Sequence, residues 1–244
     1  MRGAGRPYAP AHAEEKARWI RGLFSRIVRR YDFLNHLLSF NQDRRWRART
    51  ACLLAPWLAR PGVRVLDLCC GTADLLAALR CACPPQAGAL FIGSDFCHPM
   101  LLAARGKLPD ACLIEADALR LPLPEACVDV VTVAFGLRNL VDWQAGLAEM
   151  RRVLRAGGVA AVLEFSWPKG RWLSAAYGLY ARHLLPRVGG WISGAQEAYA
   201  YLPDSVRRFP SAEQIAGWME GAGFRSVRFW RMTGGIVTLH LGET

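Results

Sequence analysis

No apolar run in the 244 residues approaches the roughly 20 positions that a membrane-spanning helix requires. The longest stretches, Val130 to Leu137 and Trp172 to Ala181, fall well short. The N-terminal stretch lacks the continuous apolar core of a secretory signal, being interrupted by Glu14, Glu15, Lys16 and Arg18, which argues against export. Eight cysteines are present (Cys52, Cys69, Cys70, Cys81, Cys83, Cys97, Cys112 and Cys127), yet they form no CxxC pair and no Cys/His quartet. Without metal-ligand spacing they are expected to be reduced thiols packed as small apolar side chains, with no metal bound. Repeats and low-complexity tracts are also missing. With 52% apolar and 21% charged residues, the composition is that of one large globular domain carrying at most an elaborated lid.

What the chain does have is an excess of positive charge, 31 Lys+Arg against 20 Asp+Glu. Such an excess can serve nucleic acid, an anionic membrane surface or an acidic ligand. Its placement is uneven: residues 1–60 hold 13 basic and 4 acidic side chains, whereas residues 61–244 hold 18 and 16. The expected organisation is a basic N-terminal helical segment and lid at 1–60, followed by a nearly neutral domain at 61–244. In the basic segment arginines interleave with Trp19, Ile20, Leu23, Phe24, Ile27 and Val28. That is the pattern of an amphipathic helix which either lies on anionic lipid or packs one face on the body. No nucleic-acid motif accompanies it, so no nucleic-acid partner is expected.

From about Arg60 short apolar runs alternate with helical patterns. Strands are predicted at 63–68, 89–95, 111–117, 128–135 and 158–165, several apolar throughout as strands buried on both faces are. Helices are predicted at Ala73–Arg80, Pro99–Lys107 and Trp143–Leu154, the last stopped by Gly157-Gly158. This alternation predicts an α/β doubly wound, mostly parallel sheet. Beyond it a helix at Ser211–Ala222 precedes strands at 224–230 and 235–241, which with no helix between them predict an antiparallel pair at the sheet edge.

The densest chemical signal is VLDLCCGTAD (65–74) at the end of the first strand. A strand running through a glycine turn into a helix brings backbone N–H groups close to a ligand. Dinucleotide folds need several glycines in that turn; Gly71 stands alone here, with Ala73 in place of a second. Asp95 closes the second strand 24 residues after Gly71, where a carboxylate can accept both hydroxyls of a ribose. Asp117-Ala118 follows the third strand, where an adenine amino group would be met. Asp67, Asp95 and Asp117 either form a binding edge or simply terminate strands.

These residues resemble the class I S-adenosylmethionine-dependent methyltransferase core. The segment from Phe24 to Gly242 further resembles the ubiquinone/menaquinone biosynthesis C-methyltransferase family. The matching blocks are YDFLNHLLSF (31–40), RWR (45–47), DLCCGTAD (67–74), FGLRN (135–139), EFSWP (164–168), YLPDSVRRFP (201–210) and TGGIVTLH (233–240). The family pattern commonly has Gly where Ala73 stands; CCGTAD leans towards demethylmenaquinone-type members. A Ser often precedes the family's FGLRN phenylalanine, and Ala134 here removes that hydroxyl.

The resemblance implies a Rossmann-like seven-stranded sheet with a helical insertion around 168–208, and S-adenosylmethionine held by Asp67, Gly71, Thr72, Asp74, Asp95, Asp117, Ala118 and Ala134. It implies methylation of a ring carbon of a reduced polyprenyl quinone, demethylmenaquinol giving menaquinol. The alternatives are a 2-methoxy-6-polyprenyl-1,4-benzoquinol or a soluble small molecule. Arg138 is placed to stabilise a developing phenolate, or to hold its loop by an ion pair, and Asn139 to position the hydroxyl or cap a turn. Tyr31, Asp32, Asn35, Tyr201 and Arg207 are expected at the quinol head. The apolar Trp172–Val188 segment suits an isoprenoid wall or a homodimer surface. His240 reads as a core histidine. The expected location is cytoplasmic, peripheral to the inner face of the cytoplasmic membrane.

Overall fold

The computed structural model describes residues 13–184, 187, 189 and 196–244, so residues 1–12 of the basic segment and positions 185, 186, 188 and 190–195 of the insertion lie outside the described residues. Two helices lead the chain: α1 (Ala13–Leu38) and α2 (Gln42–Leu58). The alternating region follows as β1 (Arg64–Leu68), α3 (Asp74–Ala82), β2 (Leu90–Asp95), α4 (His98–Lys107), β3 (Cys112–Glu115), β4 (Val128–Ala134), α5 (Trp143–Val153) and β5 (Leu154–Phe165). Then come α6 (Arg171–Leu179), continued by a π-helical turn at Tyr180–Leu184, α7 (Gln196–Arg208), α8 (Ala212–Gly221), β6 (Arg225–Met232) and β7 (Val237–Glu243).

The seven strands form one sheet in the order β3-β2-β1-β4-β5-β7-β6. Strands β1 to β5 pair parallel, and β7 runs antiparallel to both β5 and β6. Alternate residues of the central strands face opposite layers, as a two-residue period requires. Val65, Val130, Ala161 and Leu163 pack with α2 and α3 through Leu54, Leu58, Leu76 and Leu79. Leu66, Val131, Val133 and Val162 pack with α5 and α8 through Leu147, Met150, Ile215 and Met219. A smaller cluster joins Leu23, Ile27 and Leu34 of α1 to Tyr180, Tyr201 and Leu202. Helix α1 thus lies over the carboxyl edge of the sheet with its apolar face already packed on protein.

Two local expectations are corrected. Helix α5 ends at Val153, not at the glycine pair, because Leu154 already pairs with Val128 in the sheet. Gly157-Gly158 instead lies in an irregularity of β5 before pairing resumes at Val159, and a Cβ on Gly158 would sit 2.9 Å from the carbonyl oxygens of Arg155 and Asp129. The cysteines are all free thiols, but Cys52, Cys81 and Cys112 are exposed; only Cys70 and Cys97 are buried. His240 is a core residue, its Nε2 2.9 Å from the carbonyl oxygen of Ala212.

Candidate functional site

The strand order reverses direction between β1 and β4, and open parallel sheets bind ligands at such a switch point. Two loops meet there, 69–73 after β1 and 135–139 after β4. Both carry strained backbone: Cys69 (φ 50°), Ala73 (φ 67°) and Phe135 (φ 57°) occupy the left-handed region with side chains attached. Gly136 is fixed by proximity, since a Cβ there would collide with Cys69. The loops therefore approach closely enough to hold one ligand between them.

A cavity of ≈ 150 Å³ lies at this junction. Gly71, Asp95, Asp117, Ala118 and Ala134 line it, together with Cys69, Phe96, Gly136 and Asn139. Helix α1 roofs it with Ala17, Ile20, Arg21, Phe24 and Tyr31. The Asp95 carboxylate accepts from the N–H groups of Gly71 and Cys97, each at 2.8 Å, which pins the β1 turn to the end of β2. Asp117 accepts from the Leu119 N–H at 2.9 Å. Each carboxylate oxygen retains acceptor capacity beyond these bonds. Two acceptors on successive strand ends, beside a glycine turn, fit a ribose and an adenine amino group.

A larger cavity, ≈ 350 Å³, adjoins it and shares the walls Phe24, Tyr31 and Phe135. Its lining is mostly apolar, drawn from α1, from Trp46 of α2, from Phe165, from Leu173, Ala176 and Tyr177 of α6, and from Tyr180. Its polar groups are few: Asn35, Ser39, Gln42, Asp43, Arg47, Arg138, Thr233 and the phenols. A pocket of this kind suits a flat ring with a long apolar substituent.

Arg138 is the polar centre of that wall. It is only 8% exposed, and its Nη1 donates to Glu164 Oε1 at 2.7 Å and to the carbonyl of Phe135. The other oxygen of Glu164 accepts from the Arg138 backbone N–H at 3.2 Å. Burial alone would lower the guanidinium pKa, but the buried Glu164 carboxylate overrides it and the net shift is upward. The side chain also lies 5.3 Å over the Phe165 ring. Its Nε–H is buried and has no hydrogen-bond partner among the described residues.

The tyrosines facing Arg138 are held neutral. Burial raises Tyr31, opposed by a hydrogen bond with Asn35, and burial raises Tyr201, opposed by the Arg138 charge. Tyr201 donates to Asn139 Oδ1 at 3.3 Å, and Asn139 Nδ2 donates to Phe135 O at 3.4 Å. Asp43 is the one carboxylate lining the larger cavity among the described residues. Burial would raise its pKa, but Ser39, Arg47 and His36 hold it below the usual range, so it stays ionised.

Several residues predicted for the site line neither cavity. Asp67 is buried within β1 and accepts from Thr132 Oγ1 at 2.6 Å. Thr72 donates to Asp32 at 2.5 Å, and Lys107 Nζ bridges Asp32 at 2.7 Å and Asp74 at 2.5 Å. Asp74 also meets Arg47 at 3.3 Å. Asp32, Thr72 and Asp74 thus act as a charged latch that ties α1 to the β1 turn and α4, with their polar atoms engaged away from the cavities. Arg207 is exposed and stacks 4.5 Å over Trp167. Conversely, Glu164, Arg47, Asp43 and Cys69 were not assigned from the sequence. Glu164 opens EFSWP and Arg47 closes RWR, so both carried a motif signal, but Glu164 meets Arg138 across 26 residues and Arg47 meets Asp74 across 27 as well as its near neighbour Asp43.

Residues 11–244 match the ubiE/COQ5 methyltransferase family. A demethylmenaquinone methyltransferase of Thermus thermophilus is 44% identical over 91% of this chain and 99% of its own length. The ubiquinone/menaquinone biosynthesis C-methyltransferase UbiE of Syntrophotalea carbinolica is 46% identical over 91% of this chain and 92% of its own. Among solved structures, a possible histamine N-methyltransferase from Thermotoga maritima aligns over 91% of this chain and 98% of that one, with TM-score 0.62 and 18% identity. At that identity the likeness is one of fold.

Proposed function

The chain belongs to the ubiE/COQ5 methyltransferase family, and from that premise we propose that it methylates a ring carbon of a reduced polyprenyl quinone, converting demethylmenaquinol to menaquinol. When bound, S-adenosylmethionine supplies a methyl group already activated by a positively charged sulfur. Gly71, Asp95, Asp117, Ala118 and Ala134 are the residues that would hold it; Asp67, Thr72 and Asp74 support that loop from behind. The observation that carries the reading is the Glu164-paired Arg138 guanidinium in the wall of an apolar cavity that adjoins the one lined by Gly71, Asp95 and Asp117.

A ring carbon becomes a good nucleophile when the neighbouring hydroxyl ionises, and a phenol titrates near ~10. Arg138 supports that ionisation electrostatically, because a buried, permanently charged guanidinium is worth most against an oxyanion in a dry site. Glu164 fixes its orientation. Tyr31, which lines both cavities, and Asn139, held by Tyr201 of the larger one, would align the ring. Tyr31, Asn35 and Tyr201 are assigned to the quinol head; Asp32 and Arg207 are withdrawn from that role. We take α1 with α6 and α7 as the lid over a domain that spans the other described elements, and Leu173, Ala176, Tyr177 and Tyr180 as the wall for the isoprenoid. A cytoplasmic protein working at the inner face of the membrane is the setting this substrate calls for. The relatives' names allow a benzoquinol head as well.

The test is transfer of labelled methyl from S-adenosylmethionine, by purified protein, to reduced demethylmenaquinone and to a demethylated polyprenyl benzoquinol in parallel. Label on the naphthoquinol is expected. No label on either would overturn the proposal, and label on the benzoquinol alone would reassign the head group.

A further inference from the structure

Large apolar side chains that reach solvent are unevenly placed. Ten stand out among the described residues, and seven of them fall in two segments, 33–40 and 172–184. Phe33 and Leu37 lie one turn apart on the outer side of α1, Phe40 follows in the turn to α2, and Trp172, Leu179 and Leu184 project from α6 and its π-helical extension. Phe40 is 72% exposed and Trp172 87%. Both segments also wall the larger cavity, through Asn35 and Leu38 on one side and Leu173 and Tyr177 on the other. They are fastened together where the Tyr180 hydroxyl donates to Leu38 O at 2.6 Å and its ring lies 6.3 Å from that of Phe40. The exposed apolar surface is thus the rim of the cavity.

The charge in and around these segments is mostly of one sign. Residues 26–49 and 171–187 contain ten arginines and two aspartates. Both aspartates are engaged, Asp43 with Arg47 and Asp32 with Lys107. Arg29, Arg44, Arg45, Arg171, Arg182 and Arg187 are exposed. Aromatic and aliphatic side chains set among arginines are what an anionic lipid–water interface accepts. A nucleic acid would use the charge but has no use for Leu37, Leu179 and Leu184.

We infer that this rim docks the protein on an anionic bilayer, with the lip of the cavity turned towards the hydrocarbon. The surface differs from the one the sequence suggests, because the apolar face of α1, Ile20, Leu23, Ile27 and Leu34, is buried against the body. The inference rests on the quinol reading, since a lipid-tailed substrate is what gives the cavity reason to open there.

The experiment uses the full chain with vesicles of phosphatidylglycerol or of phosphatidylcholine, and the triple variant Phe33→Ser/Trp172→Ser/Leu179→Ser, none of which lines either cavity. The wild type is expected to bind phosphatidylglycerol vesicles at least tenfold more tightly than phosphatidylcholine. The triple variant should lose at least tenfold in that affinity and lose turnover on a long-tailed quinol in vesicles, while keeping its turnover on a short-tailed, water-soluble quinol. Leu90→Ser/Leu102→Ser, exposed outside the two segments, should change nothing. Vesicle binding unaltered in the triple variant, or duplex DNA bound as tightly as phosphatidylglycerol and released by the same substitutions, overturns the surface. Failure of methyl transfer to both quinols overturns the quinol reading instead, and the vesicle arm still reports on the surface by itself.

Discussion

At the scale of single residues, Arg138 and Ala73 give the sharpest expectations. Arg138→Ala should lower kcat by about 10²–10³, the usual cost of losing one donor to a developing oxyanion, while the dissociation constant for S-adenosylmethionine by calorimetry stays within about twofold. A loss of cofactor binding to match would refute its role. Glu164→Gln keeps the shape but removes the charge that orients and sustains the guanidinium, so kcat should fall less than in Arg138→Ala, with KM for the quinol nearly unchanged. Asp95→Ala removes the carboxylate that fixes the Gly71 N–H and should abolish measurable cofactor binding. Ala73 is a different case: it sits at φ 67°, ψ 28° as the residue before α3. A Cβ costs about 1 kcal/mol in that region, so Ala73→Gly should raise the unfolding free energy by up to about 1 kcal/mol in urea titrations. The glycine common at this position in the family therefore has a backbone reason.

At the scale of elements, the latch ties α1, which roofs the smaller cavity, to the β1 turn. Lys107→Met would leave Asp32 and Asp74 facing each other without their shared cation. Amide exchange along α1 should then speed severalfold, while β1 and β4 keep wild-type protection. Slower or unchanged exchange in α1 would show the latch to be incidental. The elements themselves were largely legible from the sequence, because strands buried on both faces write themselves as apolar runs and α8 announces its start with the Ser211–Gln214 capping box. The limits were local. Leu154 belongs to a strand because a neighbour, Val128, pairs with it, and the helical period continues across it without a break. Three residues that line the smaller cavity, Gly71, Asp95 and Asp117, were legible because a backbone motif places them. Asp32 and Arg207 line neither cavity, because a motif gives the block but not the direction in which each side chain points. Glu164 was missed because a buried ion pair between distant segments leaves no mark in spacing.

For the molecule as a whole, two buried groups set opposing pH dependences. Burial raises Asp67 from the usual 3.8 to about 7, so the folded protein keeps a proton that the unfolded chain has released. Its contribution to stability is present below about pH 4 and is lost as pH rises towards 7. Burial lowers His240 from 6.5 to about 4, and the cost of keeping it neutral appears as pH falls through that window. The slopes oppose one another between about pH 4 and 6.5, each by about 1.4 kcal/mol per pH unit at most. Asp67→Asn retains an acceptor for Thr132 and removes one slope. The stability of the variant minus that of the wild type, from urea unfolding, should climb from near zero at pH 4 to a plateau above pH 7. A flat difference would mean that Asp67 ionises normally.

The wall formed by Phe24, Tyr31 and Phe135 faces both cavities at once. In kinetic language, such a partition leaves no station at which the methyl group could rest on the protein between visits of donor and acceptor. Both reactants must be aboard together, so initial-rate plots at several fixed quinol levels should intersect rather than run parallel. Tyr31→Ala, by opening the partition, should release the donor to water as a competing acceptor and make its consumption outrun product formation.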